Sequence, residues 1–248
     1  MKEIISKNNS LIKSLKKQKL KNRFLLFLDN PKTIEEAFDF GLECEYILLE
    51  NNKQEKFSWA LTKKTNIIIV SDEVIKTLTS TKTPQGIIAV FKFKKQALSL
   101  PKANFLVLDG LQDAGNIGSL LRSALGANFK DIFLIDCASL TNEKVIRSSM
   151  STIFRLNTYE LTRQEFIEIA KKNKLSLVCC DMHGENIYET VKPNNVGIVL
   201  GNEGNGVSEE VKSLCFKTIS IPMQNNLESL NVAASGAIIM FEINNKGR

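Results

Sequence analysis

The sequence predicts an α/β protein in two parts: a small N-terminal α/β layer domain, then a larger domain built on a parallel sheet. Three observations predict it. From residue 105 onward, nearly continuous apolar runs ("FLVLDG", "DIFLID", "VGIVL") alternate with helix-patterned segments, as strands covered on both faces do. The first part also alternates, with shorter and more mixed runs ("RFLLFL", "YILLE", "NIIIV", "IIAVFKF"). Between them "KKQALSLPKAN" lacks either period and contains Pro101, so it reads as a linker. The expected boundaries are 1–93, 94–103 and 104–248, and each part is long enough to bury a core.

Taken in order, the chain opens on a lysine-rich amphipathic helix that Ser10 could cap, with Leu11, Ile12 and Leu15 inward. After "RFLLFL" comes a helix over "KTIEEAFDFG", stopped by Gly41. The strands "YILLE" and "NIIIV", a short helix at "DEVIKTL" and the strand "IIAVFKF" complete the first part. In the second, "NIGSLLRSALGAN" is a helix closed by Gly126, and "TNEKVIRSSMSTIF" is expected to run as one helix from a Thr or Asn cap. Helix "QEFIEIAKKN", strand "LSLVCCD", strand "VGIVL", helix "SEEVKSL" and strand "TISIPM" follow. Last comes a long helix of small and apolar residues, "SLNVAASGAIIMFEI".

Composition narrows the function. Apolar residues at 43% and charged residues at 24% are those of a soluble globular chain, and no apolar run reaches membrane-span length. The N-terminus is too polar for a secretory signal, so the chain is expected to be unprocessed and cytoplasmic. The cysteines Cys44, Cys137, Cys179, Cys180 and Cys215 form no C-x-x-C pair, which fits reduced thiols and argues against zinc. His183 is the single histidine, which disfavours a histidine metal site or a Ser-His-Asp triad; before a glycine it reads as a turn residue. The net charge is +6, and residues 1–30 hold all of that excess, with eight basic residues against Glu3 and Asp29. A basic arm of this kind suits a polyanion, nucleic acid first, although a solvated helix face would look the same.

Three polar constellations sit at strand ends, where open parallel sheets bind ligands. They are "LDGLQDAGNIGSLLRSA", with Asn116 at a helix mouth and Arg122 two turns in; "LGNEGNG"; and "ISIPMQNNLESLNVAAS", with Ser229 and Asn231 opening the last helix. The glycine order G-x-x-G-x-G is not the dinucleotide-binding G-x-G-x-x-G, and no Gly-Lys-Ser/Thr marks a Walker loop. Glu203, set among glycines, would repel a phosphate. Singly, each motif has an ordinary reading. Asn116 and Ser229 could be helix caps, Arg122 an exposed helix charge, and Glu203 a structural acid paired with an arginine.

Together and in this order, "NIGSLLRSA", "LGNEGNGV" and "IPMQNNLESLNVAASGA" resemble the signature motifs of the SpoU (TrmH-like) family of RNA ribose 2′-O-methyltransferases. The first part is similar to that family's small substrate-binding domain, which looks like RNA-binding ribosomal proteins. The resemblance implies a C-terminal SPOUT domain with a deep trefoil knot, S-adenosylmethionine as cofactor and a homodimer. It also implies an RNA partner, ribosomal RNA foremost, with no metal and no membrane. Leu200, Gly201, Gly206, Ile221 and Leu230 would line the cofactor pocket, largely through main chain. A cationic sulfonium with no phosphate tolerates Glu203. Asn116, Arg122, Glu203, Ser229 and Asn231 take the catalytic positions, with Arg122 either assisting deprotonation or anchoring a substrate phosphate, and reaching across the dimer. A tRNA ribose, an antibiotic-resistance rRNA methyltransferase and a catalytically silent RNA-binding protein are the alternatives. The chain departs from the family where "SSMSTIFR" puts Ser151 and Thr152 in place of a usual Gly-Ala pair, and where "LDNPK" lacks a Glu-Gly pair.

Overall fold

The computed structural model describes every residue except 1, 22–23, 191–193, 226, 228 and 246–248. Arg23 of the basic arm and Glu228 of the third motif therefore lie outside the described residues. The chain divides into two compact units, 1–95 with 141–143, and 96–140 with 144–248.

The first unit is a five-stranded mixed sheet. Its strands are β1 (Lys2–Ile4), β2 (Leu25–Leu28), β3 (Cys44–Glu50), β4 (Asn66–Val70) and β5 (Ile87–Lys92), in the order β1-β4-β3-β5-β2. The first three in that order run parallel, and β5 pairs antiparallel with both β3 and β2. Helix α1 (Ser10–Lys21) buries Ile12 and Leu15 against a core that also holds Leu25, Phe27, Ile68 and Val90. Its cap is Asn9, whose Oδ1 accepts the Leu11 N–H at 2.9 Å, so the Ser10 assignment is one residue late. Helix α2 (Pro31–Asp39) starts at Asn30, which caps Thr33, with Pro31 at the first helical position; Gly41 follows it at φ +72°. On that face Phe38 meets Phe91 edge-on at 5.0 Å. Helices α3 (Ser58–Leu61) and α4 (Asp72–Leu78) complete the unit. The three-residue β1 and the single turn of α3 were too short to leave a periodic signal.

The second unit is a six-stranded sheet in which every pairing is parallel, in the order β11-β9-β10-β6-β7-β8. Its strands are β6 (Phe105–Asp109), β7 (Asp131–Ile135), β8 (Asn157–Leu161), β9 (Leu177–Asn186), β10 (Gly197–Gly201) and β11 (Cys215–Ser220). One face carries an aromatic cluster in which Phe133 contacts Phe105, Tyr159 and Phe166 at 5.1–5.7 Å, under helix α7 (Arg163–Asn173). The other face is covered by α5 (Ala114–Gly126) and α9 (Val232–Asn244). Gly236 of α9 lies so close that a Cβ there would sit 2.4 Å from Leu120 and 2.6 Å from Leu200. Gly236 thus serves this intramolecular contact.

The helix expected over 141–154 is broken. Helix α6 (Glu143–Ser149) stops, Met150 and Ser151 take φ +46° and +63°, and a 3-10 turn spans Thr152–Arg155. The hydroxyls explain it. Ser148 donates back to the Lys144 carbonyl at 2.6 Å, Ser149 to Ile146 at 2.9 Å, and Thr152 to Ser149 at 2.7 Å, each competing with the helical ladder. Ser151 is buried and Thr152 half-buried, and both belong to this turn. Strand β8, polar at one end, escaped the sequence reading, and the helix at "SEEVKSL" shrinks to α8 (Glu209–Lys212).

Candidate functional site

The glycine-rich loop follows β10. Leu200 pairs with Leu108 and Gly201 with Asp109, so the loop leaves the sheet at its carboxyl edge. Asn202 and Gly206 exchange both backbone hydrogen bonds at 2.9 Å. The Asn202 side chain fills the turn, accepting from the N–H of Gly204 and Asn205 and donating to the Gly110 carbonyl at 3.1 Å. A Cβ on Gly201 would lie 2.0 Å from the carbonyl carbon of Gly206, and Gly206 itself has φ +68°. Both positions therefore demand glycine, one for space and one for conformation.

Beneath the loop, Asp109 is 1% exposed and ionically paired. It accepts from Arg163 Nη2 at 3.1 Å and from the N–H and hydroxyl of Ser208 at 2.8 and 2.6 Å. A buried carboxylate with three donors is tolerable, and here it ties the loop's far end to the end of β6. Neither Asp109, Arg163 nor Ser208 stood out in the sequence, since nothing in spacing links residues 54 and 99 positions apart.

A side-chain relay joins the three motifs. Asp113, not Asn116, caps α5: its Oδ1 accepts the Asn116 N–H at 2.8 Å, and Lys144 foremost, then that N–H, holds its carboxyl below the ordinary range. The Asn116 side chain is thereby free to donate to Glu203 Oε1 at 2.6 Å and to accept from Asn231 Nδ2 at 3.0 Å. Asn231 Oδ1 then accepts the Ala233 N–H and caps α9. The polarity is self-consistent. A carboxylate only accepts, so it fixes the Asn116 amide, which fixes the Asn231 amide, which leaves an oxygen for the helix N-terminus. The partner of Glu203 is Asn116 and not an arginine, and the cap of α9 is Asn231 and not Ser229.

The loops enclose a cavity of about 680 Å³. Leu200, Gly201, Gly206, Ile221 and Leu230 line it, and so do Glu203, Ser229 and Asn231. Asn116 touches it only through the relay. Arg122 is exposed on α5 and, among the described residues, has no ion-pair or hydrogen-bond partner.

One wall corrects the sequence reading. His183, read from the sequence as a turn residue, lines the same cavity with Asp181 and Met182. The cause is a break in register: Cys179 pairs with Thr218 and Glu185 with Ile219, so residues 180–184 bulge out of β9 over the pocket. Asp181 braces this bulge, accepting from the His183 N–H at 3.1 Å and from Lys212 at 3.0 Å, and both hold its carboxyl below the ordinary range. Burial pushes Cys44 up to about 11 and Cys137 to about 12.

This is a parallel α/β domain with a ligand-sized pocket at the carboxyl ends of its strands, the class of α/β proteins that bind small molecules there. Comparison with known proteins narrows the class. Residues 103–241 match the SpoU rRNA Methylase family, and residues 31–97 match the RNA 2′-O ribose methyltransferase substrate-binding domain. The chain belongs to the SpoU family. It is 25% identical over 251 residues to the 23S rRNA (guanosine(2553)-2′-O)-methyltransferase RlmP of Bacillus subtilis, covering 98% of this chain and 99% of that one. A TrmH-family RNA methyltransferase structure from Porphyromonas gingivalis superposes with a TM-score of 0.80 at 26% identity, covering 93% and 94% of the two chains. AviRb from Streptomyces viridochromogenes, solved with AdoMet, shares the fold with a TM-score of 0.86 at 22% identity over 97% and 100%.

Proposed function

We propose that the protein transfers a methyl group from S-adenosylmethionine to a ribose 2′-hydroxyl of ribosomal RNA. The observation that carries the reading is the relay Glu203–Asn116–Asn231 closing a glycine-walled cavity. The pocket fits the cofactor in kind. It offers apolar walls at Leu200, Ile221 and Leu230, main-chain groups at Gly201 and Gly206, and a carboxylate where a phosphate would be repelled. When bound, S-adenosylmethionine supplies a methyl group already activated on a sulfonium. The protein then has to align a ribose oxygen and ease the loss of its proton. Arg122 is assigned the substrate phosphate beside the target ribose and the charge developing on the oxygen, a task suited to a guanidinium that stays protonated. Asn116, Ser229 and Asn231 order the loops around it.

A homodimer completes the site in this proposal. On α9 the exposed residues Ala234, Ile238 and Phe241 recur at helical spacing. A Cβ on Gly126 of α5 would lie 3.4 Å from Phe241, one turn beyond Arg122. An apolar stripe bordered by an arginine with no partner among the described residues suits a second copy, with Arg122 serving the partner's pocket. The deep trefoil knot belongs to the same proposal, as do a cytoplasmic setting and the roles of the two units, the first for RNA and the second for methyl transfer. No helix among the described residues is long and apolar enough to cross a membrane.

RNA is favoured by α1, where Lys13, Lys16, Lys17 and Lys21 form one exposed face. Two measurements test the function. Calorimetry should detect S-adenosylhomocysteine binding, and a labelled methyl group should appear at a ribose of rRNA. Cofactor binding without any transfer to rRNA or tRNA would favour the catalytically silent alternative.

A further inference from the structure

The bulge that carries His183 to the pocket wall is built, not slack. Strand β11 advances one residue, from Thr218 to Ile219, while β9 runs from Cys179 to Glu185. Both ends of the excursion are fastened. Gly184 lies so close to β11 that a Cβ there would sit 2.4 Å from the Ile219 carbonyl carbon, and Ser220 Oγ donates to the Gly184 carbonyl at 2.8 Å. Asp181 holds the other end, through Lys212 and the His183 N–H. The bulge displays two side chains at the cavity, Met182 and His183, both exposed. Among the described residues the His183 imidazole makes no hydrogen bond and no ion pair, so the fold itself does not use it. Bulges beside binding sites commonly serve to aim a side chain.

Strand order places this wall. The glycine loop after β10 is tied on its β6 side, where Asn202 reaches Gly110 and Glu203 reaches Asn116. β9 is the neighbour on the other side of β10. The cavity thus has a relay flank towards β6 and a bulge flank rising from β9. Met182 and, from the end of β11, Ile219 and Ile221 give the bulge flank apolar walls, and its carboxylate, Asp181, is already matched by Lys212. Apolar walls beside a ring with polar nitrogens suit a heterocycle and its ribose better than a charged amino-acid tail. We propose that His183 is a cofactor-binding residue that hydrogen-bonds the adenosine half of S-adenosylmethionine, on the flank away from the reacting methyl. The inference rests on the S-adenosylmethionine reading above. Its consequence is a division of labour: Glu203 faces the charge that the reaction removes, whereas His183 holds a part of the ligand that the reaction leaves unchanged, and so grips donor and product equally.

The test is calorimetry on the full-length protein with three ligands: S-adenosylmethionine, S-adenosylhomocysteine and 5′-methylthioadenosine, which keeps the nucleoside and lacks the amino-acid tail. His183→Ala should weaken all three by the same factor, about fivefold. His183→Gln, which keeps a polar N–H, should bind within about twofold of the parent protein. Melting without ligand should be the same for both variants as for the parent, which separates a lost contact from a damaged fold. Unchanged affinities in His183→Ala overturn the proposal, and so does a His183→Gln variant no better than His183→Ala. A loss for the two larger ligands but not for 5′-methylthioadenosine overturns it by moving the contact to the amino-acid end. A loss for S-adenosylmethionine alone overturns it by moving His183 to the reacting flank. In each of these cases the parent protein still binds S-adenosylmethionine and the cofactor reading stands; a parent protein that binds none of the three ligands overturns both.

Discussion

Helix α5 holds two residues of the proposed site in opposite circumstances. In its first turn Asn116 is fixed at three points, by Asp113 through its N–H and by Glu203 and Asn231 through its amide. Six residues on, about 9 Å along the axis and a third of a turn around it, Arg122 is exposed and has no partner among the described residues. The first region is finished within one chain: carboxylate, amide, amide and helix cap each satisfy the next. The second has a charge and a direction but nothing to act on. Pre-organised groups and groups that await a partner do different work. In the proposed site the former shape the pocket before anything binds, and the latter would acquire its contacts with substrate or a second copy.

The sharpest way to break this contrast is Arg122→Ala. If the arginine acts only on the reacting ribose and its phosphate, methyl transfer should fall by about 10³-fold or more while S-adenosylhomocysteine affinity stays within a few fold. Calorimetry and a radiolabel transfer assay read the two separately. Near-normal turnover would remove Arg122 from the chemistry; a parallel loss of cofactor affinity would place it in the finished region instead.

Gly201→Ala attacks the finished side. The new methyl would overlap the Gly206 carbonyl carbon at 2.0 Å, and the three nearest atoms are all backbone, so the loop itself has to move. Overpacking of this kind costs about 1–3 kcal/mol. The stabilisation that S-adenosylhomocysteine gives in a melting experiment should largely vanish. An undiminished ligand-induced shift would mean that the loop is not the cofactor's floor. Glu203→Gln is gentler, because an amide oxygen can still accept from Asn116. Only the charge goes, so binding of the sulfonium methyl donor should weaken by up to about tenfold and that of S-adenosylhomocysteine, which lacks the sulfonium charge, hardly at all. Equal weakening of both would assign Glu203 a purely structural part.

Legibility in the sequence followed the same divide. The parallel sheet was readable because strands buried on both faces, such as Leu106 and Val107, leave no polar residue to interrupt the apolar run. The glycine loop was readable because Gly201 and Gly206 are steric requirements with one chemical solution. Which side chains meet was not. Asn116 and Glu203 are 87 residues apart, and a helix-mouth asparagine looks like a cap until Asp113 is seen to hold that place. The bulge at residues 180–184 was invisible for another reason: its five residues continue the strand in sequence and differ only in what they pair with. His183 therefore read as a plain turn residue, although the register break brings it to the pocket wall.

The smallest expected effect probes the support of α5 from outside the site. The hydroxyl-rich turn after α6 sends the 3-10 segment Thr152–Arg155 back towards α5, and it does so with Met150 at φ +46°. A non-glycine residue in this left-handed region costs about 1–2 kcal/mol, and Met150 is 59% exposed, so little packing repays it. Glycine would remove that cost and add back about 0.5–1 kcal/mol of unfolded-chain entropy. Met150→Gly should then stabilise the protein by about 0.5–1 kcal/mol, a rise of about 1–4 °C in Tm, with methyl transfer unchanged. If stability rose and turnover fell, the strained turn would be positioning α5, and the division between its fixed first turn and its waiting arginine would have to include the turn beneath them.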